Sequence, residues 1–350
     1  MPSMAFIGND FNLQTSPPTP NGCAWYRQVL PSREVQKFGW ETGVGVPRVS
    51  MEEGIGIAHE DGAYMGFDVY VFKLMMHETV PQLIRLMQGK GQRIIVDVDD
   101  FHFGLDKENV AFQSTDPHSN PSNNRMFFEM GIRAADTVTV STDFLAGFYE
   151  RRVRDVVLVR NALDTERFTP VVQPEIPTFG WVGATLWRSG DIELLRDWLP
   201  SFVKEFKTPV HHAGHIPMDC KHFGVRAGLK RVQTSPMAPI THYPAILKDI
   251  NVGLVPLTRN HFNEAKSALK GLEYAASGIP FIATPTEEYR LLAAAGVGRL
   301  AETPDEWRDH AIELLDLDVR KAEAEKQRAI VEAKFHISVR GSEWNTALNG

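Results

Sequence analysis

The sequence has few cysteines and no long apolar run. Its two cysteines, Cys23 and Cys220, lack the spacing of a metal site and fall in different predicted domains. A reducing compartment fits this pattern better than a disulfide scaffold does. No signal peptide and no apolar stretch of transmembrane length is present, so we expect a cytoplasmic protein without stable membrane insertion, either a monomer or a homodimer.

Basic residues are also fewer than acidic ones. Against 44 Asp and Glu the chain has 37 Lys and Arg, so its formal net charge is −7 and its pI is about 6.0. Unspecific adhesion to nucleic acid or anionic lipid is therefore not favoured, although a local basic site is compatible with this balance. With 350 residues, of which 43% are hydrophobic, the chain is long enough for two domains with their own cores.

Short apolar runs alternate with helical patterns along the chain, which is typical of parallel sheets covered by helices. The proline-rich stretch 169–177 predicts a linker between two such α/β halves. We expect strands near 4–7, 68–72, 93–98, 137–140 and 156–159, and again near 178–182, 209–213, 231–233, 251–256 and 279–283. Since ligands bind beyond the carboxyl ends of parallel strands, two doubly wound domains of this kind would face each other across a ligand-binding cleft.

The most informative stretch is 262–284, FNEAKSALKGLEYAASGIPFIAT. A helix over about 267–277 would place Lys266, Lys270 and Glu273 on one side. Gly278 would end that helix, and residues 281–283 would follow as a short buried strand.

The helix start in this stretch suits a diphosphate ligand. Its free N–H groups, together with Lys266, Ser267 and Lys270, offer donors to phosphate oxygens. Glu273 can instead accept hydrogen bonds from two vicinal hydroxyls, as on a ribose. The alternative is an ordinary amphipathic helix with a solvated Lys–Glu pair.

Residues 267–284, SALKGLEYAASGIPFIAT, resemble the donor-binding signature of the retaining GT-B glycosyltransferases of the group 1, or family 4, class. Further segments match in the expected order: ADTVTVSTDFLAGFY, VLVRNALDTERFTP and FGWVGATLWRSGDIELL. The resemblance implies two Rossmann-like doubly wound domains, an acceptor-side domain over 1–170 and a donor domain over 171–325. It also implies that a C-terminal helix within 326–350 packs back on the first domain.

The resemblance also assigns roles in the donor domain. Glu273 would hold the nucleotide ribose, and residues 231–243 would hold the base. Gly183 and Arg188, in the loop after the strand FGWV, would approach a phosphate, although an ordinary turn with a solvated arginine explains them as well. The chain departs from the family where Ala265 stands at the position of the usual first acid, with Glu264 one residue earlier.

In the first domain, IIVDVDDFHF resembles a subgroup with an acidic cluster. Alternation along the strand puts Asp97 and Asp99 on one face and Asp100 on the other. The cluster, with His102, fits a carboxylate that orients an acceptor hydroxyl better than it fits a D-x-D metal site, and a structural capping role is the third interpretation.

Two further groups of residues have competing interpretations. Tyr26 and Arg27 resemble a Tyr-Arg pair of that subgroup, in which the arginine faces the cleft on the acceptor side, although packing alone explains Tyr26 as well. The histidines at 211, 212, 215 and 222 lack the H-E-x-x-H pattern of a zinc helix, so we expect one or two of them to line the nucleotide pocket instead.

These observations predict a glycosyltransferase that moves a sugar from a nucleotide-diphosphate sugar, UDP- or GDP-linked, to an acceptor hydroxyl with retention and without a required metal. Arg188, Lys266 and Lys270 would stabilise the departing diphosphate. If the enzyme inverts, Asp99, Asp100 or His102 would act as the base. The acceptor could be a protein, a glycan, a lipid-linked sugar or a modified nucleic acid. The alternatives are a non-catalytic sugar-nucleotide or glycan binder and an epimerase or phosphorylase of the same fold.

Overall fold

The computed structural model describes residues 1–59, 62–109, 111–115, 122–185, 190–216 and 222–350. The chain divides into two compact units. The first unit comprises Met1–Phe103, Ala111–Ala162 and Ile337–Gly350, and the second comprises Gly104–Val110 and Leu163–His336. In the described part of the chain, no helix combines the length and the apolar character that crossing a membrane requires.

The first unit is built on a six-stranded parallel sheet in the order β11-β10-β9-β8-β1-β4. A separate antiparallel sheet contains β5, β6 and β7, and β2 pairs with β3. The strands are β1 (Ser3–Gly8), β2 (Phe11–Asn12), β3 (Thr19–Pro20), β4 (Glu41–Gly45), β5 (Pro47–Ser50), β6 (Gly54–His59), β7 (Gly62–Tyr64), β8 (Val69–Lys73), β9 (Arg93–Val98), β10 (Thr137–Val140) and β11 (Val156–Leu158).

Helices of the first unit follow most strands of its parallel sheet. They are α1 (Gly22–Ala24), α2 (Leu30–Val35), α3 (Val80–Gly89), α4 (Phe112–Thr115), α5 (Asn124–Ala134) and α6 (Asp143–Tyr149). A π-helical turn, Trp25–Val29, joins α1 to α2, and 3₁₀ turns cover Gln36–Phe38 and His102–Gly104. The central strands β1, β8 and β9 are buried along nearly their whole length, because helices cover a parallel sheet on both faces.

The second unit repeats this plan with a six-stranded parallel sheet in the order β14-β13-β12-β15-β16-β17. Its strands are β12 (Phe179–Val182), β13 (Val210–His215), β14 (Gln233–Pro236), β15 (Val252–Val255), β16 (Phe281–Ala283) and β17 (Arg299–Leu300). Its helices are α7 (Leu199–Phe206), α8 (Phe223–Arg226), α9 (His261–Glu264), α10 (Leu269–Ala276), α11 (Glu287–Ala294), α12 (Pro304–Glu313) and α13 (Leu317–Lys334), with 3₁₀ turns at Thr165–Arg167, Ile192–Leu195 and Tyr243–Asp249.

The last helix, α14 (Gly341–Asn349), belongs to the first unit, after a 3₁₀ turn at Ile337–Val339. Its Trp344 is buried and contacts Phe6 of β1 edge to face, with ring centroids 5.4 Å apart. An aromatic side chain of this size contributes strongly to a core, so Trp344 fixes α14 against the first sheet.

The sequence predicted the α/β class correctly, and each expected strand is present within a few residues. Strands 93–98 and 137–140 match residue for residue, and Gly278 ends α10 with a φ of +65°, as expected. The antiparallel strands β5, β6 and β7 were not predicted. The domain boundaries at 170 and 325 stay predictions, and α13, which spans the second of them, lies in the second unit.

Candidate functional site

Two glycines leave a bare backbone surface at the carboxyl ends of β12 and β13. Gly183 follows β12 with a φ of +126°, and Gly214 has a φ of +90°, conformations that other residues rarely adopt. A Cβ on Gly214 would lie 3.1 Å from the backbone nitrogen of Gly183. Because neither position carries a side chain, a ligand can approach this backbone closely.

Lys270, in the first turn of α10, lies against this glycine surface. Its Nζ donates to the carbonyl of Val182 and lies 5.2 Å from the centroid of a Trp181 ring. A Cβ built on Gly183 would be 3.4 Å from the same Nζ. The lysine therefore places a positive charge beside the glycine turn and at the N-terminal end of an eight-residue helix, an arrangement that attracts anions.

Glu273 lies one turn further along α10. It is 5% exposed, and its Oε2 accepts a hydrogen bond from the Tyr243 hydroxyl at 2.7 Å. A carboxylate held in this way has a fixed orientation and can accept more than one hydrogen bond. The Lys270–Glu273 part of the sequence motif thus exists as a pair on one helix, with Tyr243 as a fixed partner.

Lys266 and Ser267 precede that helix, which starts two residues later than expected. The N–H of Ala265 returns to carbonyls of α9, and α10 begins only at Leu269. Lys266 and Ser267 therefore lie in the turn between two helices, both half-buried, and the Lys266 Nζ is 4.2 Å from the Phe262 ring centroid.

In this chain, Ala265 occupies the position of the family's usual first acid. Ala265 is fully buried. The neighbouring Glu264 accepts a hydrogen bond from the backbone N–H of Glu287, the first residue of α11, at 3.4 Å. Glu264 therefore caps a helix, which is a structural role.

The histidines of β13 have separate surroundings. His212 donates from Nε2 to the carbonyl of Gly183 at 2.8 Å and so supports the glycine turn. His211 lies 2.9 Å from the Ser235 hydroxyl, and burial lowers the pKa of its ring below the usual 6.5. The His215 and His222 rings lie 4.8 Å apart. Within the described ranges, no group of three or more His, Cys, Asp or Glu side chains has the arrangement of a metal site. Arg188 lies outside the described residues.

The carboxyl edge of the first sheet contains a buried ion-pair network. Arg27 donates to both carboxylate oxygens of Asp97, at 2.5 Å and 3.0 Å, and each side chain is 1% exposed. Arg27 also donates to the carbonyl of Val159 at 2.6 Å and to Asn161 at 3.2 Å, and Thr139 donates to Asp97 at 2.7 Å. The network ties the π-helical turn to the ends of β9, β10 and β11.

This burial changes the interpretation of Tyr26 and Arg27. The side chain of Tyr26 is 5% exposed and that of Arg27 is 1% exposed. The expectation that Arg27 faces an open cleft is therefore not met in this structure. Asp97 holds the pKa of the guanidinium above its ordinary value, although burial acts in the opposite direction, so Arg27 is a permanent internal cation.

Asp99 is the partner of Lys73, the last residue of β8. Burial favours the neutral carboxyl, but the adjacent ammonium outweighs it and lowers the pKa of Asp99 below its ordinary value. Asp97 is also close to this ammonium, at 3.9 Å, so Asp97 and Asp99 share one side of the strand end, as alternation predicts. Asp99 is therefore ionised at neutral pH and is held by a salt bridge.

His102 and Asp100 complete this edge. Burial lowers the pKa of the His102 ring, although Asp100 and Asp99 act against it. Its Nε2 is buried and has no hydrogen-bond partner among the described residues, and the ring contacts Phe128 edge to face. Burial therefore disfavours the protonated form of this ring, and the imidazole is neutral at pH 7. Asp100 is half-buried.

The sequence analysis missed two residues that fix these groups. Lys73 ends an otherwise apolar strand, VYVFK, and a lone lysine at the carboxyl end of a buried strand is the signal that could have identified it. Tyr243 falls in the segment expected to hold a base, but nothing in its local pattern indicates a contact with Glu273, 30 positions later.

No protein-family model matches this chain, and no curated protein is similar to it at a significant level. Solved structures are similar over its whole length. Sucrose-phosphate synthase from Thermosynechococcus elongatus has a TM-score of 0.66 at 14% identity, covering 99% of this chain and 98% of that chain. HepE from Anabaena in complex with UDP has a TM-score of 0.64 at 11% identity, covering 100% of each chain.

An alpha-glucosyltransferase in complex with UDP gives a similar result. Its TM-score is 0.62 at 12% identity, covering 99% of this chain and 100% of that chain. All three structures are GT-B glycosyltransferases. Together with the two parallel α/β sheets, these similarities show that the chain has the GT-B glycosyltransferase fold.

Proposed function

We propose that the protein is a glycosyltransferase that moves a sugar from a nucleotide-diphosphate sugar to an acceptor hydroxyl. The observation that supports this proposal most directly is that Lys270 and Glu273 lie on one helix, beside the glycine turn at the carboxyl edge of the second sheet. The fold supports this proposal, and HepE and the alpha-glucosyltransferase, which share it, were solved with UDP bound. We propose UDP- or GDP-sugars as the donor class.

Each donor-site group has a distinct proposed task. The backbone at Gly183, the Lys270 ammonium and the N-terminus of α10 would bind the diphosphate. Glu273, oriented by Tyr243, would accept hydrogen bonds from the ribose hydroxyls. Lys266 and Ser267, in the turn before α10, and Arg188 are proposed as further phosphate ligands.

The chemistry of the leaving group explains why cations are needed. When the bond between the anomeric carbon and the phosphate oxygen breaks, both bonding electrons stay on the phosphate, and negative charge grows there. Lys270 stabilises that charge in the transition state more than in the ground state, which is what accelerates the step. We propose retention, in which the departing phosphate oxygen takes the proton of the acceptor hydroxyl.

The first unit would supply the acceptor side through Asp99, Asp100 and His102. Asp99 is fixed by Lys73, so it can orient an acceptor hydroxyl as a hydrogen-bond acceptor. His102, neutral at pH 7 because its pKa is lowered, is the proposed base if the reaction inverts. The acceptor class, whether protein, glycan, lipid-linked sugar or modified nucleic acid, stays open in this proposal.

Nucleotide binding tests the donor site directly. We expect UDP or GDP, measured by thermal shift and isothermal titration calorimetry, to stabilise the wild-type protein, by about 2.7 kcal/mol at 100 times its Kd. Lys270→Met and Glu273→Gln should each weaken that binding about tenfold, the loss of one charged contact. The exposed Lys204→Met and Glu287→Gln are matched controls in the same unit and should bind normally.

Turnover separates the enzyme from a binding protein of the same fold. We expect slow release of nucleoside diphosphate from the donor sugar even without acceptor, and we expect Lys270→Met to reduce its rate. Tight nucleotide binding with no release, and no transfer to any acceptor, would favour the non-catalytic alternative. Failure of every nucleotide to bind the wild-type protein contradicts the proposal.

A further inference from the structure

A cavity lies in the second unit, and its lining contains none of Gly183, Lys270 and Glu273 of the candidate donor site. Its volume is about 650 Å³, within the range of sites for small organic ligands. It is bounded by residues 167–172, at the start of the linker, and by residues 241–248, around the turn that follows β14. We call this cavity the linker pocket.

The linker pocket has a cationic lining. Arg167 and Lys248 contribute full positive charges, and His242 adds an imidazole. Among the described residues, no Asp or Glu lines the cavity; Glu166 and Asp249, the chain neighbours of Arg167 and Lys248, are exposed outside it. Two threonines, two prolines, two valines and an alanine form the remaining wall, so the pocket combines charge with hydroxyl groups and an apolar surface.

Arg167 is held in place by the protein. One Nη of its guanidinium donates to the carbonyl of Ile240, across the pocket from the linker. A guanidinium oriented in this way has already lost part of its conformational freedom, so it binds an anion at lower entropic cost than a mobile side chain does.

Hydrogen bonds to the backbone of Val171 and Val172 place this side of the linker pocket at the opposite edge of the sheet from the glycine turn. The N–H of Val171 donates to the carbonyl of Ser277 at 2.8 Å, and the Asn251 side chain donates to the carbonyl of Val172 at 3.1 Å. Asn251 directly precedes β15, and Ser277 lies before β16, so both are at the amino edge. Gly183 instead follows the carboxyl end of β12.

Helix α10 nevertheless connects the linker pocket to the donor site. Ser277, which accepts the Val171 N–H, caps the C-terminal end of α10, whereas Lys270 lies in its first turn. On the other wall, Tyr243 follows the lining residue His242 and donates to Glu273 in the middle of the same helix. Both walls of the pocket are thus hydrogen-bonded to the helix that carries the proposed donor ligands.

We propose that the linker pocket is a binding site for a small phosphate-bearing anion, distinct from the donor nucleotide. Arg167 and Lys248 bind the phosphate group, which matches the geometry of a guanidinium and the charge of an ammonium. The apolar wall packs against the carbon skeleton of the ligand. A soluble phosphorylated metabolite with a short carbon skeleton matches the size of this half-open cavity.

The test uses inorganic pyrophosphate as the probe and isothermal titration calorimetry as the readout, on the full chain. Because pyrophosphate also suits the proposed diphosphate site, both substitutions are made in the Lys270→Ala background, where we expect Lys248→Ala and Arg167→Gln each to weaken pyrophosphate binding at least tenfold. Because Lys248 is exposed, its replacement leaves the fold intact. Lys204→Ala removes the same charge from another surface of the unit and should bind pyrophosphate like wild type.

Lys270→Ala distinguishes the linker pocket from the donor site. If the proposal holds, a pyrophosphate site persists in Lys270→Ala, and Lys248→Ala binds UDP as the wild type does. Loss of all pyrophosphate binding in Lys270→Ala, or unchanged binding in that background for both Lys248→Ala and Arg167→Gln, overturns the proposal while leaving the donor site standing. Cosedimentation with phosphatidylglycerol vesicles that depends on Lys248, without pyrophosphate binding, also overturns it, in favour of a lipid.

Discussion

Asp97→Asn is expected to lower the free energy of unfolding of the first unit, and by more than removal of one charge from an exposed ion pair would. Asp97 is 1% exposed and accepts hydrogen bonds from Arg27, at 2.5 Å and 3.0 Å, and from Thr139, at 2.7 Å. Asparagine has nearly the same size, so the substitution removes the charge and leaves no cavity. The buried Arg27 guanidinium then loses its counter-charge.

The magnitude follows from burial. Removing one member of a fully buried ion pair costs about 3–5 kcal/mol, because the other charge stays desolvated and uncompensated. Two features of the site affect this value. Lys73 lies 3.9 Å from Asp97, so a second buried cation loses part of its compensation, whereas Asp99 still neutralises Lys73. We therefore expect a loss near the middle of that range, about 4 kcal/mol in the free energy of unfolding.

Urea unfolding followed by circular dichroism measures this loss. Asp143→Asn is the matched control, because its pair with Arg160 is partly exposed, with 44% and 22% side-chain exposure, and should cost less than about 1 kcal/mol. The double variant Arg27→Met/Asp97→Asn should recover part of the loss, since no unpaired charge remains. A cost below about 1 kcal/mol for Asp97→Asn, or a double variant less stable than the single one by the full cost of Arg27→Met, would refute the reasoning.

Two further predictions concern stability. Because burial lowers the pKa of His102 below 6.5, the unfolded chain binds a proton at this residue more strongly than the folded chain does, and the free energy of unfolding should fall as the pH drops from 7 to 5. In urea titrations at each pH, His102→Phe should make the free energy of unfolding less dependent on pH. An unchanged pH dependence contradicts the lowered pKa of His102. Arg320 is fully buried and donates to the carbonyls of Leu314 and Pro174. Arg320→Met should therefore cost about 3 kcal/mol by leaving acceptors unsatisfied. Arg308→Met, which breaks a partly exposed ion pair with Glu205, should cost below about 1 kcal/mol. Equal thermal shifts for the two variants would disprove the role of Arg320.

Local sequence patterns located most strands of the two parallel sheets, although not the edge strands β4 and β17, and they located the site-bearing helix. Apolar runs bounded by turn residues mark β9 and β10 to the residue, because a strand buried on both faces must be apolar along its length. Gly278 marks the end of α10 because its positive φ is readily adopted only by glycine. The Lys270–Glu273 spacing follows from the helix period, which is also a local property.

Local sequence patterns did not predict the first residue of α10 correctly. Lys266 and Ser267 fit a helical pattern, but the chain closes α9 at Ala265 and begins a new helix at Leu269, burying Ala265 and Ala268. The position at which α9 ends and α10 begins depends on packing against the rest of the unit. Helix propensity does not encode it, because tertiary contacts override propensity at helix ends.

By itself, the sequence determined the α/β class, the approximate positions of most strands of the two parallel sheets and the Lys270–Glu273 spacing, since each depends on neighbours within one or two turns of chain. Only the tertiary structure decided which side chains pair: the ion pairs Arg27–Asp97 and Lys73–Asp99, and the hydrogen bond from Tyr243 to Glu273. These partners are separated by 26 to 70 positions. Lys73 and Asp99 meet because parallel pairing of β8 with β9 brings the carboxyl ends of these strands to one edge. The other two pairs join a helical element to a strand or to a turn, and no local pattern specifies any of these contacts.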